Sequence, residues 1–252
     1  CRGRLLVDHS DEPCGAAFRP ELARTHLRRN TLHLELREVD LAFDGKPLLQ
    51  RIGLSIRSRS DDVGDFVVIE GPSGSGKSSL LRLLNRLVEP TAGQMLVDGV
   101  IPAAAQTPAL RRQVALLQQT PVIMSDTVRV NLLHGDAFAT QSAAKDEAQL
   151  RRDLDRVGLE HIALDDAAEP LSVGQRQRLA LARLLRVQPR FLLADEPTSA
   201  LDDESRRVVL ARLESLCVDG GMGVVLVTHR QFTPARITPR RLRLQDGHLK
   251  EV

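Results

Sequence analysis

The hydrophobic pattern changes period along the chain, and each change marks a different kind of structure. Over residues 31–56 apolar and polar positions alternate, as at Leu34, Leu36, Val39, Leu41 and Phe43, around a turn at Gly45, Lys46 and Pro47. A period of two predicts antiparallel strands with one buried face, a small β layer. Residues 65–70 instead form a continuous apolar run through Phe66, Val67, Val68 and Ile69, the pattern of a strand covered on both faces. A Gly-rich turn and helical spacing over 77–87 follow, so a strand, a loop and a helix are expected in succession. A short strand near 94–97, a brief helix from about 108 and a strand over 114–117 lead to Pro121, which interrupts the pattern.

Residues 122–188 change character. Helical spacing recurs over 125–133, 143–157 and 173–187 with no strand pattern between, which predicts an inserted helical lobe. The buried-strand pattern resumes at 190–194 and 222–227, with a helix over 203–217 between them and a short β tail near 242–249. The expected division is an N-terminal extension of unassigned role over 1–30 and one domain over 31–252. Within that domain, 31–120 and 189–252 supply the β layer and the core, and 121–188 supply the helical lobe. Residues 20–29 of the extension carry a short helix pattern opened by Pro20.

Composition narrows the function classes. The chain has 252 residues, 42% of them hydrophobic, enough for one large core. Its 35 basic and 33 acidic residues leave a net charge of only +2, so no basic field points to a nucleic-acid partner. Trp and Tyr are absent, which removes the usual platforms for stacking single strands. Cys1, Cys14 and Cys217 have no metal-ligand spacing and form no even framework, a usage that fits a reducing cytosol. No apolar run approaches the roughly 20 residues of a membrane-spanning helix. Residues 1–30 begin with Cys and lack the apolar stretch of a signal peptide, so they read as a fragment end or an extension.

Two local motifs carry chemistry. Gly71, Pro72, Ser73, Gly74, Ser75, Gly76, Lys77 and Ser78 fit GxxxxGK[ST] between a buried strand and a helix, and Ser79 follows. Glycines let backbone N–H groups approach phosphate oxygens, and the helix start adds a favourable dipole. Lys77 can reach the β and γ phosphates, and the Ser78 hydroxyl can ligate Mg²⁺. Asp195 and Glu196 end the apolar strand at 190–194, the end at which parallel sheets hold ligands. Asp195 suits Mg²⁺, and Glu196 suits taking the proton of an attacking water. Ser172, Val173, Gly174 and Gln175 open a further helix with a capping-box pattern.

In this order, over about residues 31–250, the motifs resemble those of the ABC ATPase family. The resemblance implies an α/β fold: a P-loop NTPase with a RecA-like parallel-sheet core, an antiparallel β subdomain and an inserted helical subdomain. It implies that Leu171-Ser172-Val173-Gly174-Gln175 is the family signature, with Ser172, Gly174 and Gln175 offered to a γ-phosphate held by a second chain. The usual sequence there is LSGGQ. Val173 replaces a glycine, and a β-branched residue resists positive φ, so strain and slower turnover are expected if that conformation is required.

By position, Gln119 resembles the glutamine that senses Mg²⁺ and the γ-phosphate, with Gln118 as the fallback. His229, after the apolar strand 224–227, resembles the switch histidine. Residues 199–202 resemble the loop that crosses the dimer interface, so Asp202 joins the nucleotide-binding set. Phe43 falls where the family stacks an aromatic on adenine, although it also fits a core position in the β layer. The family resemblance thus implies ATP and Mg²⁺ as ligands and Glu196, His229, Lys77 and Gln119 as catalytic groups.

The implied partners are a second ABC ATPase subunit and a transmembrane permease, with no nucleic acid. The implied location is cytoplasmic, peripheral on the inner face of the membrane. Residues 119–132 resemble exporter-like subunits, and the solute remains the membrane partner's choice. Two other readings stand beside this one: a soluble ABC ATPase of cofactor assembly or DNA maintenance, and a non-hydrolysing nucleotide-gated scaffold. About 95 residues without sustained heptads between the phosphate loop and the signature speak against DNA maintenance. The presence of both Glu196 and His229 speaks against a scaffold.

Overall fold

The computed structural model describes residues 31–59, 62–138 and 146–252. The extension, its short helix over 20–29 and the first three residues of the 143–157 pattern lie outside the described residues. Strands β1 (Thr31–Phe43) and β2 (Lys46–Arg59) form the first hairpin. Its turn is Asp44-Gly45, at φ 49° and 74°, one step earlier than the sequence pattern places it. Two consecutive left-handed residues match the twist of a two-residue hairpin, which is why Asp-Gly serves here and Pro47 starts the return strand. β4 (Ala92–Val97) pairs antiparallel with β1 on its other side, giving a three-stranded layer in the order β2-β1-β4.

The second sheet has six strands. β3 (Phe66–Glu70), β5 (Val114–Leu117), β6 (Phe191–Asp195), β7 (Gly223–Val227), β8 (Arg240–Gln245) and β9 (His248–Glu251) run in the order β5-β6-β7-β3-β8-β9. All neighbours are parallel except the last pair. Both faces of this sheet are covered, so its central strands are apolar up to their last residues, Glu70 in β3 and Asp195 in β6. Val67, Ile69, Leu193, Val225 and Val227 pack with the antiparallel layer and with Leu80, Leu81, Leu83 and Leu84 of α1 (Lys77–Leu84). Phe66, Val68, Leu192, Ala194, Val224 and Leu226 face the opposite way, toward the later helices.

α1 stops at Leu84, short of the residue-87 limit of its pattern. Arg86 turns left-handed at φ 56°, and Leu87 N–H then donates to the Arg82 carbonyl, closing the helix without a glycine. α2 (Thr107–Gln113) carries Pro108 in its first turn and leads directly into β5. α3 (Val128–Leu133) starts later than its spacing, because the Thr127 hydroxyl accepts from Val130 N–H and sets the cap there. α4 (Glu147–Asp155) is capped by Asp146. α5 (Val173–Leu185) and α6 (Asp203–Val218) then cover the outer face of the parallel sheet. Between β5 and β6 no strand forms among the described residues, and one isolated bridge joins Thr127 to Ala167.

A buried ion cluster holds the helical segment together. Arg186, at the end of α5, grips both carboxylate oxygens of Asp136 at 2.7 and 2.8 Å and also donates to Asp153 of α4. All three side chains are less than a tenth exposed.

Candidate nucleotide site

The parallel register brings the chemistry to one edge of the sheet. Asp195 lies level with Val227, and Val227 with Ile69, so three neighbouring strands end together. At or just past those ends lie the Asp195-Glu196 pair, the Thr228-His229 pair and the loop of residues 71–76. Two ladder bonds continue beyond the strands: Glu196 N–H to the Val227 carbonyl at 3.1 Å, and Thr228 N–H to the Ile69 carbonyl at 3.3 Å.

The loop demands glycine at both ends. A Cβ on Gly71 would sit 2.2 Å from the Leu244 carbonyl oxygen, a backbone atom of β8 that cannot yield. Gly76 precedes α1 at φ 99°, a left-handed conformation that favours glycine. With Gly76 as its cap, α1 has no side-chain acceptor on its first N–H groups and no acid in its first turn. Those donors and the dipole are therefore left to an external anion. Lys77 is buried and donates through Nζ to the carbonyls of Gly71 at 3.0 Å and Pro72 at 2.7 Å. Burial pulls its pKa down, and the negative charges of Glu196 and Asp195 oppose that shift. The Ser75 hydroxyl is buried in the same loop without a hydrogen-bond partner. A buried cation, an uncapped helix start and an orphaned hydroxyl together fit a phosphate chain.

Glu196 and His229 meet directly, Oε1 to Nε2 at 2.6 Å. Glu196 is held at φ 45°, in the left-handed region. Gln119, just past β5, donates through Nε2 to the Ser199 hydroxyl at 3.1 Å. Ser78 and Asp195 offer hard oxygen ligands of the kind Mg²⁺ prefers. No group of three or more His, Cys, Asp or Glu able to hold a metal occurs among the described residues. A cation here would draw its other ligands from phosphate and water, as Mg²⁺ commonly does.

Phe43 stands at the tip of the first hairpin and is 49% exposed, which places its ring at the surface and not in the β-layer core. Ser172, Gly174 and Gln175 stand at the start of α5. Ser172 Oγ accepts from Gln175 N–H, and Gln175 Oε1 accepts from Ser172 N–H, a complete capping box. Asp202 caps α6 by accepting from Ser205 N–H at 2.8 Å, a bond that lowers its carboxyl pKa. The strain expected at Val173 is absent. Val173 is the first helical residue of α5, and neither it nor Gly174 has positive φ.

Three contacts around the site are not signalled by any local motif. Gln177 of α5 is buried and bonds the carbonyl of Gln118, Ser199 bonds Gln119, and His161 Nε2 lies 3.3 Å from Gln175 Nε2. A glutamine on the otherwise apolar buried face of a helix is the one sequence cue to the first.

The geometry is that of a nucleotide-binding α/β domain, and sequence comparison gives its family. The sequence profile of the ABC transporter family matches residues 58–199. The chain belongs to that family. It is 38% identical to the ATP-dependent lipid A-core flippase of Paraburkholderia xenovorans (strain LB400), over 98% of this chain and 40% of the flippase. It is 37% identical to the glutamine transport ATP-binding protein GlnQ of Escherichia coli (strain K12), over 86% of this chain and 90% of that protein. Among solved structures, a bacterial ABC exporter with ATP bound superposes at TM-score 0.74, with 27% identity over 87% of this chain and 38% of the exporter. A dimeric ATP-binding cassette in a post-hydrolysis state with ADP and Pi superposes at 0.71, with 29% identity over 87% and 97%. The chain thus spans well under half the length of the flippase, and most of the length of the separate ATP-binding protein. Among the described residues no helix is long and apolar enough to cross a membrane.

Proposed function

We propose that this chain binds and hydrolyses ATP and energises transport through a transmembrane partner by closing with a second ATP-binding chain around the nucleotide. The 2.6 Å contact between Glu196 and His229, beside the buried Lys77, is the observation that carries this reading. Residues 71–76 and the α1 amides surround the phosphates with Ser78 and Ser79, Lys77 neutralises the β and γ groups, and Phe43 offers its exposed ring to the base. Ser78 and Asp195, with Gln119, would hold Mg²⁺, which when bound neutralises the phosphate charge.

Glu196 takes a proton from water as the water oxygen bonds to the γ-phosphorus and the bond to the β-phosphate oxygen breaks, leaving ADP and phosphate. His229 orients the Glu196 carboxylate and the γ-phosphate. Its ring nitrogen Nε2 donates to Glu196 in the tautomer that this contact selects. Ser172, Gly174 and Gln175 of the partner chain complete the pocket with the start of α5, and Asp202 lies in the loop that crosses between chains. In this reading 31–120 and 189–252 form the catalytic core and β layer, and 121–188 the signature lobe. The domain sits on the cytoplasmic face of the membrane through its permease, with either an identical or a related chain as its mate.

Glu196→Gln tests the reading, with size analysis at saturating ATP and a phosphate-release assay. The expected variant binds ATP, accumulates as a dimer and releases almost no phosphate, because the amide cannot accept the proton of water. A variant that stays monomeric with ATP, or hydrolyses at the parent rate, would overturn it.

A further inference from the structure

Behind the residues that face the phosphates, hydrogen bonds join three segments that are distant in sequence. Gln177 lies on α5, about one and a half turns after Ser172, and is 1% exposed. Its Nε2 donates to the Gln118 carbonyl at 3.1 Å. Facing a carbonyl, the amide must present its NH₂ side, so the bond is directional. The next residue, Gln119, bonds Ser199 Oγ at 3.1 Å. Ser199 N–H donates in turn to the Glu196 carbonyl at 3.2 Å. A continuous path therefore runs from α5, through residues 118 and 119, into the turn that holds Glu196 left-handed.

We infer that Gln177 is a positioning residue for hydrolysis: its amide ties the seating of α5 to Gln119 and, through Ser199, to the Glu196 carboxylate. The inference rests on Glu196 being the general base. A helix is stiff over one and a half turns, so any displacement of Ser172 is carried to Gln177. A buried amide is costly to leave unpaired, so Gln177 takes the Gln118 carbonyl with it and does not let it go. Gln119 follows as the adjoining residue, and its bond to Ser199 passes the shift to the Glu196 turn. When the start of α5 is seated against nucleotide, the path sets the carboxylate for reaction.

The test uses the full chain and steady-state ATPase kinetics of Gln177→Leu, Ser199→Ala and the double variant, with thermal melting and ATP affinity measured alongside. Gln177→Leu keeps the volume and removes the donor. The expected result is a fall in kcat of about tenfold, with KM and ATP affinity within about twofold. Ser199→Ala should show the same kind of loss, and the double variant should be no slower than the slower single, because both cut one path.

Gln177→Glu adds a signature that a filler role lacks. Its carboxylate faces a carbonyl at about pH 8, so its deficit against the parent should shrink toward about pH 6 as the buried carboxyl gains a proton and can donate. Parent-like kcat in Gln177→Leu would overturn the inference. So would losses in the two single variants that multiply, or a fall in ATP affinity and melting temperature that accounts for the lost rate. A parent chain without phosphate release would overturn the ATPase reading and this one together. A hydrolysing parent with an unaffected Gln177→Leu variant removes only the role of Gln177.

Discussion

Restoring the family glycine at Val173 measures what this departure from the usual signature costs. Val173 is the first helical residue of α5 and is 44% exposed, so rather more than half of its side chain packs against neighbours. Replacing it by glycine loses about 1 kcal/mol of apolar burial. Glycine is also about 0.4 kcal/mol poorer than valine in a helix. No left-handed strain is relieved, since Val173 does not have positive φ. The sum is a loss of roughly 1–1.5 kcal/mol, or a melting temperature lower by about 3–5 °C in a chain this long. The N–H at position 173 is the same in both variants, so ATP turnover of Val173→Gly should stay within about twofold of the parent. Differential scanning calorimetry and a phosphate-release assay decide it. A several-fold rise in turnover with no loss of stability would show that the valine side chain itself obstructs closure on ATP, and would refute the reasoning.

Three further outcomes follow from the structure. Arg186→Ala takes the guanidinium from the buried Asp136 carboxylate and leaves Asp153 with the Gln149 amide at 2.8 Å and Arg156 at 3.5 Å, and should cost about 3–5 kcal/mol in urea unfolding; a loss below about 1 kcal/mol would mean that water replaces the guanidinium. Burial, and then the nearby Asp65 charge, push the Cys217 thiol up to about 12 from 9.0. A raised folded pKa gives stability that is whole below the unfolded value and is lost as pH rises through the folded one. Urea midpoints should therefore fall between about pH 9 and pH 11, and fall less in Cys217→Ala; equal falls would contradict the assignment. With Glu196 as the proposed base, Glu196→Gly should release no phosphate yet gain about 0.5–1 kcal/mol of stability, because left-handed strain of about 1–2 kcal/mol exceeds the entropy cost of glycine. The contact with His229, whose side chain is 40% exposed, is screened by solvent on that side and offsets only part of that gain, and a measured loss above about 1 kcal/mol would show that the contact is worth more.

The parallel strands were legible because burial on both faces writes a continuous apolar run: the 114–117 expectation coincides with β5, and the 222–227 expectation differs from β7 by one residue. Helix ends were less so. The end of α1 depends on Arg86 turning left-handed without glycine, and the start of α3 on which of several polar residues before Val128 becomes the cap. Legibility of the candidate site divides in the same way. Residues 71–78 and the Asp195-Glu196 pair are contiguous, so their placement at strand ends follows from local pattern. The bond of Gln177 to Gln118 spans 59 positions and exists only once α5 packs on the sheet, and that of Gln119 to Ser199 spans 80 and exists only once β5 and β6 pair. The family pattern also misled at Val173, where a glycine in the usual signature implies a need for positive φ that the helix start does not have.

Glu196 shows why the turn after β6 matters beyond its carboxylate. Asp44, Asp98 and Asp246 are also left-handed, but each precedes a glycine that is left-handed too, the ordinary chemistry of a tight turn. Glu196 instead follows a buried strand and precedes Pro197, with no glycine to share the bend. It stays there because its N–H is fixed to Val227 and its carbonyl to Ser199 N–H. A strained residue persists only where its surroundings over-determine it, and it releases when one restraint moves. Ser199 is one of those restraints, and its hydroxyl is also the group that Gln119 holds. The bond that keeps Glu196 in its costly conformation is therefore in reach of α5, so a shift at the start of that helix has a physical route to the Glu196 carboxylate, the base proposed above.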